Sequence, residues 1–316
     1  MRLHSGVLSA FGYIYMDFVF DEYMDFIPDF SFFEQAVHRP PPVHVRINRL
    51  KARPEDVLSS LSSRGIKASQ VSERYGSFYV LEGVSHPGNL PEYHLGCIHP
   101  QALTSCLAAV VLNPSPGSRV LDMCAAPGGK TAHISELMQN RGLVVANELV
   151  PARQSPLGHT LTRLGVMNAV VTGYQAQEFP MRNRFDFILA DVPCSGEGGL
   201  RAEKEHKKPS GRRGRMILQE LQKRILLRGF DMLADRGIML YSTCTYNPDE
   251  NEAVVQYLLE QRDAELLPVQ TGFNQEPGLS SRKKEHYDSR LTAAARFYPH
   301  RVDSVGFFMA RIRRRR

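Results

Sequence analysis

The sequence predicts an α/β protein: a doubly wound, mostly parallel sheet covered on both faces, preceded by a smaller α+β domain. Three observations carry this. Beyond Gly117 five short apolar runs recur, each closed by turn residues. Segments of helical period lie between most of them. A breaker cluster, Pro114, Pro116 and Gly117, separates this alternation from a different pattern upstream. Apolar runs alternating with helices are the mark of a parallel sheet buried on both faces.

Taken in order, residues 6–16 come nearest to a signal-peptide core. Asp17, Asp21 and Glu22 follow without a small-residue cleavage site, so a cytoplasmic location is expected. Residues 11–33 are rich in aromatics and acids. Residues 43–50 (VHVRINRL) alternate like a half-buried strand, and residues 54–64 read as a helix with Pro54 in its first turn and Gly65 at its end. A helical run over 100–112 leads to the breaker cluster, which divides the chain into domains 1–115 and 116–316. The second domain has strands at 118–124, 143–148, 169–173, 185–191 and 237–242, a helix over 218–233 and a last strand at 306–312.

The 316 residues, with 39 Lys+Arg against 33 Asp+Glu and 42% hydrophobic content, exclude disordered, collagenous and disulfide-scaffold classes. No uncharged apolar run approaches the roughly 20 residues that span a bilayer. The five cysteines are odd in number and contain no C-x-x-C pair, so neither a zinc site nor a disulfide framework is expected. The net charge of +6 is compatible with a polyanionic partner without identifying one.

Ligands of doubly wound sheets bind beyond the carboxyl ends of the strands. After the first strand comes Cys124-Ala125-Ala126-Pro127-Gly128-Gly129-Lys130-Thr131, whose small residues admit a ligand close to the backbone at a helix N-terminus. It is one residue from the phosphate-binding loop G-x-x-x-x-G-K-[ST], with Cys124 in place of the first glycine. A P-loop-like nucleotidase with Asp191 in a Walker B strand, or a tight structural turn, are therefore alternatives. Glu148, after the second strand, stands where an acid would bind adenosine ribose hydroxyls, and it can equally be a helix cap. Asp191-Val192-Pro193-Cys194 follows the fourth strand and Ser242-Thr243-Cys244 the fifth. If these strands are neighbours, both thiols face one pocket beside an aspartate; if not, buried structural cysteines are the ordinary outcome.

Two thiols, an aspartate and an adenosine-type cofactor suit methylation at carbon 5 of a pyrimidine. That carbon becomes nucleophilic when a thiolate adds to carbon 6, and a second thiol can assist release of the product. At this point the chain resembles the Sun/Fmu family of RNA (cytosine-5) methyltransferases, which includes RsmB and RsmF. The matching strings are LDMCAAPGGKT (121–131), DVPCSGEG (191–198) and YSTCTYNPDENE (241–252), with weaker similarity in VRINRLK (45–51), GCIHPQ (96–101) and GFFMA (306–310).

The resemblance implies a Rossmann-like class I methyltransferase domain acting on a cytosine of rRNA or tRNA with S-adenosylmethionine. It implies Cys244 as nucleophile, Cys194 in product release, Asp191 against the cytosine and near the cofactor, and Lys130 completing the catalytic pocket. Cys124, Ala125, Ala126, Pro127, Gly128, Gly129 and Lys130 would bind the cofactor, with Glu148 on the ribose and Arg153 nearby. The choice of Cys244 over Cys194 rests on the family, since in DNA cytosine-5 methyltransferases the Pro-Cys thiol attacks. Two departures stand out. Gln175 replaces the aspartate usual near the adenine, where its amide carbonyl can still accept a hydrogen bond, and Arg201-Ala202 replaces an Arg-Lys pair, with Lys204 as a substitute.

Residues 201–215 (RAEKEHKKPSGRRGR) read as a mobile basic loop that engages RNA phosphates at the pocket mouth. The arginines from 311 onward read as a solubilising tail, with added phosphate contacts as the alternative. With no length left for an additional RNA-binding domain, target choice is expected to rest on residues 1–115, the basic loop or a partner, and a monomer suffices. A non-catalytic RNA-binding assembly factor is the alternative that Gln175 and Ala202 raise.

Overall fold

The computed structural model describes residues 20–201 and 211–315. The stretch 6–16 and most of the basic segment, with Ala202 and Lys204, lie outside them. The amino-terminal part holds helices α1 (Phe30–Val37), α2 (Pro54–Ser62) and α3 (Pro91–His94). Strands β1 (Val43–Ile47), β2 (Lys67–Gln70), β3 (Phe78–Glu82) and β4 (Ile98–Pro100) form an antiparallel sheet in the order β2-β3-β1-β4. Pro54 opens α2 with Glu55 and Asp56 in the first turn, where the helix dipole favours acids. Val57 and Leu61 of α2 close a small core with Val45, Ile47, Leu81 and Ile98.

Strands β5 (Arg119–Asp122), β6 (Leu143–Asn147), β7 (Ala169–Thr172), β8 (Phe185–Asp191) and β9 (Leu233–Thr243) run parallel in the order β7-β6-β5-β8-β9. Later in the chain come β10 (Ala264–Leu267), β11 (Glu276–Pro277), β12 (Ser281–Arg282), β13 (Glu285–His286), β14 (Ala295–Phe297) and β15 (Phe307–Arg314). β15 inserts antiparallel beside β9, and β14 and β10 pair with its other edge. β12 and β13 form a separate ribbon. This is a doubly wound, Rossmann-like sheet whose strand order reverses between β5 and β8, which places the ligand crevice at their carboxyl ends.

Among the described residues, helices α4 (Leu103–Leu112), α5 (Gly129–Leu137), α6 (Pro151–Arg163), α7 (Arg212–Asp231) and α8 (Glu252–Gln261) follow. α7 and α8 cover one face, packing Leu226, Phe230, Val254 and Leu258 against Ile188, Met239 and Tyr241. α4 and α5 cover the other, where Leu107, Leu112 and Ile134 meet Leu189, Leu240 and Met309. Successive residues of β8 and β9 thus point to opposite cores, as the period of a strand requires.

Two groupings differ from the sequence reading. α4, read with residues 1–115 as a connector, buries seven of its ten residues, mostly against the large sheet. Phe20, Tyr23 and Phe33 pack on Tyr246 and Tyr298 of the carboxyl-terminal region instead of on the small sheet. Boundaries shift by a few residues elsewhere. The helix read over 218–233 starts at Arg212 and stops at Asp231, because Leu233 already belongs to β9. Among the described residues no helix is long and apolar enough to cross a membrane.

Candidate active site

β5 stops at Asp122, and the chain turns through residues 123–128 before α5 begins. Asn147, buried at the end of β6, ties this turn to its neighbours. Its Nδ2 donates to the carbonyls of Met123 at 3.1 Å and Tyr174 at 2.8 Å, while its Oδ1 accepts from Thr172 Oγ1 and Tyr174 N. The ends of β5, β6 and β7 are thereby fixed by one amide.

Gly128 has φ 105°, the left-handed region that favours glycine. A Cβ on Gly129 would lie 2.6 Å from His99 Nε2, and His99 is held in turn by Arg163, whose Nη2 lies 3.0 Å from Nδ1. Gly129→Ala is therefore expected to cost about 1–3 kcal/mol through overpacking, read as a lower urea midpoint at unchanged slope.

Glu148 is buried beyond β6. One of its oxygens accepts from Val150 N at 3.0 Å and the other lies 3.4 Å from Arg153, which donates to Ala126 O at 3.0 Å. Ala125 N donates to Asn147 O at 2.8 Å, beside the Ala126-Pro127 bond. Gln175 is exposed ahead of a single 3-10 turn, and its Oε1 accepts from Gln177. Cys124 lies in the turn between β5 and α5, where burial and the nearby Asp122 push its thiol well up, so it stays protonated.

At the carboxyl ends of β8 and β9 the two cysteine segments meet. Cys194 Sγ and Cys244 Sγ are 3.4 Å apart, and Cys244 N also donates to Cys194 Sγ at 3.4 Å. Lys130 Nζ lies 2.9 Å from Asp191 Oδ2, and Ser242 Oγ donates to Asp191 Oδ1 at 2.7 Å. The ammonium also sits 5.4 Å over the Phe307 ring. Burial pulls Lys130 down, but the adjacent Asp191 carries it above the ordinary lysine value. A hydrogen bond from Cys194 lowers the Cys244 thiol, aided by Lys130, and the same contact raises Cys194. The pair is thus asymmetric, with Cys244 the more acidic of the two thiols.

A buried frame missing from the sequence reading holds these loops. Ser195 N donates to Glu250 Oε2 at 2.9 Å, and Ser195 Oγ to Thr245 Oγ1 at 2.7 Å. Thr245 Oγ1 and Tyr23 OH both donate to Glu197 Oε2, at 3.0 and 2.6 Å. Asn251 joins Thr243 to Thr245 O, and Glu252 pairs with Arg296. The signal was present in the polar letters of SGEG and YNPDENE, which are too polar for a buried position unless each finds a partner. Asp122 was also missed. It accepts from Thr131 Oγ1 at 2.7 Å, and burial pushes its carboxyl up to about 7.

Arg201 departs from the expected phosphate loop. It is 4% exposed and donates to Ala36 O, Arg39 O and Ser304 O, with Asp303 2.9 Å away, so it straps α1 to the carboxyl-terminal region. Arg215 pairs with Glu22 at 2.6 Å. Among the described residues no group of three or more His, Cys, Asp or Glu is placed to hold a metal.

A doubly wound sheet with this glycine turn after its first strand and paired residues after its fourth and fifth belongs to the Rossmann-fold methyltransferases. Within that class the chain belongs to the 16S rRNA methyltransferase RsmB/F family, whose model matches residues 109–313. It is 32% identical over 291 residues to a tRNA (cytosine(49)-C(5))-methyltransferase of Pyrococcus abyssi, covering 92% of this chain and 94% of that one. It is 34% identical to the human 28S rRNA (cytosine(4447)-C(5))-methyltransferase over 96% of this chain and 38% of the relative. The chain spans less than half the length of the eukaryotic curated relatives it matches. A solved methyltransferase homologue from Pyrococcus horikoshii superposes with a TM-score of 0.83 at 30% identity, covering 99% of this chain and 100% of that one.

Proposed function

We propose that this chain is an S-adenosylmethionine-dependent RNA (cytosine-5) methyltransferase of the reducing cytoplasm, acting as a monomer on a cytosine of rRNA or tRNA. The observation that carries the reading is the thiol pair, 3.4 Å apart, beside the Lys130–Asp191 ion pair. The relatives' names supply the substrate class.

The residues of the glycine turn suit the cofactor. Cys124 to Lys130 offer a close backbone approach and the start of α5, Glu148 is a buried acceptor matched to ribose hydroxyls, Arg153 braces it, and the Gln175 carbonyl can accept from an adenine amino group. S-adenosylmethionine held there supplies an electrophilic methyl group.

The chain's own residues prepare its acceptor. The Cys244 thiolate adds to carbon 6 of the cytosine, and the electron pair displaced from the C5–C6 double bond makes carbon 5 nucleophilic. Asp191 contacts the base, and Lys130 balances the charge that develops on the ring. After methylation the carbon 5 proton leaves to water, its bonding pair restores the double bond, and the Cys244 sulfur departs as a thiolate. Cys194 stabilises that leaving thiolate by donating a hydrogen bond across the 3.4 Å between the two sulfurs. The target base must be unpaired or splayed from its stack to reach these groups.

RNA containing 5-azacytidine is expected to trap a covalent protein–RNA adduct, seen as a band that survives denaturing electrophoresis. Absence of the adduct with an RNA that is otherwise methylated overturns the thiol mechanism. Cys194→Ala is expected to accumulate the adduct on ordinary RNA and to move the rising limb of the pH profile for adduct formation to higher pH. The sign follows from the lost donor: without it the Cys244 thiol returns toward the usual range, and less thiolate is present at any given pH.

A further inference from the structure

A cleft of about 590 Å³ lies between the small sheet and the large one, away from the cysteines. Three arginines from distant parts of the chain converge on it: Arg49 after β1, Arg74 between β2 and β3, and Arg311 in β15. Among the described residues none of the three is paired with a carboxylate. Glu136, the one acid in the wall among those residues, is taken by the fully buried Arg46.

Polar atoms around the cleft are left without partners in the protein. Arg311 Nε and His133 Nδ1, in the wall, are both buried and unbonded, and so is Arg46 Nε behind Glu136. Of these, Arg311 Nε is a donor with no acceptor in the protein, on a guanidinium that lines the cleft. Base stacking is not what the wall offers, because the Tyr75 ring already stacks on Phe273 with centroids 5.7 Å apart and an interplanar angle of 13°. The wall therefore presents guanidinium donors in excess of acids, the chemistry that takes phosphate oxygens.

The cleft shares two elements with the catalytic pocket. α5 carries Lys130 near its start and His133, Glu136 and Leu137 further on, a rise of roughly 10 Å. β15 carries Phe307 against Lys130 and Arg311 in the cleft, roughly 13 Å along the strand. We propose that this cleft is a second RNA-binding site, in which Arg49, Arg74 and Arg311 hold backbone phosphates of the substrate strand at a distance from the target cytosine. The proposal rests on the RNA methyltransferase reading given above. It assigns a share of substrate affinity to the seam between the two sheets.

The test is the affinity of the full chain for a labelled, cytosine-containing single-stranded RNA, followed by anisotropy over a series of salt concentrations. Arg49→Glu combined with Arg74→Glu alters two exposed side chains and is expected to weaken binding by roughly tenfold or more. It should also make the slope of log affinity against log salt shallower by about 1.4, the loss of two phosphate contacts. Arg49→Lys with Arg74→Lys is expected to keep most of the slope, since a point charge also serves a phosphate. S-adenosylmethionine binding by calorimetry is expected to be unchanged in both, and Arg74→Glu alone should give half the change in slope. Wild-type RNA affinity and slope in the double variant, with a wild-type chain that methylates RNA, overturn the cleft and leave the activity standing. A wild-type chain that neither binds nor methylates RNA overturns both.

Discussion

Cys244→Ala is expected to abolish methyl transfer, with turnover reduced by at least roughly 10³-fold, because it removes the sulfur proposed to bond to carbon 6. The expectation comes from the asymmetry of the pair. Cys244 is the thiol lowered by the Cys194 hydrogen bond and approached by Lys130, while Cys194 is the thiol raised by the same contact. Transfer of a labelled methyl group from S-adenosylmethionine to RNA measures the loss, and the 5-azacytidine adduct should vanish with it. Cofactor affinity is expected to persist, since Cys244 lies at the end of β9 and the glycine turn follows β5. An adduct that survives in Cys244→Ala and disappears in Cys194→Ala would exchange the two roles.

The second large effect is on stability. Glu252 and Arg296 form an ion pair with side chains 0% and 2% exposed, in which Arg296 Nε donates to Glu252 Oε1 at 2.7 Å. Arg296 Nη1 donates to Tyr246 O at 2.9 Å, and Leu279 N donates to the same Glu252 oxygen. Glu252→Gln keeps the shape but leaves the guanidinium buried without its counter-charge. Breaking a buried pair in this way costs about 3–5 kcal/mol. Urea unfolding followed by circular dichroism is expected to show that loss as a lower midpoint with an unchanged slope. Glu82→Gln, which breaks an exposed pair with Lys67, should leave the midpoint where it was.

Much of the site was legible because it is local. The turn from Cys124 to Lys130, Asp191 with Cys194, and Cys244 each follow a strand, and an apolar run ending in small or polar residues is visible in a short window. What brings them together is the pairing of β8 with β9, which the sequence could state only as a condition. Arg201 was misread for a related reason. Its neighbours in sequence are basic and polar, whereas its acceptors lie on α1 and at residue 304, so composition pointed to a solvated loop and tertiary contacts placed it inside. The aromatics at 20–33 likewise carried no sign of which surface they cover. Asn147, Glu250 and Asn251 look like turn residues in a one-dimensional reading, and their value lies in carbonyls and amides contributed by other loops.

The insertion of β15 beside β9 also bears on when the protein becomes competent. Phe307, at the start of that strand, lies under Lys130, and Gly306 N donates to Gly198 O in the segment that follows Cys194. Thr104, at the start of α4, bonds to Val305 across 201 positions, and Tyr23 reaches Glu197 across 174. Closures of such length come late, because the entropy of each loop must be met before its contacts return anything. During synthesis the parallel strands from β5 to β9 can assemble while the reacting groups still lack their walls. On that order, the walls around Lys130 and the Cys194 segment would close only after both cysteines have been made.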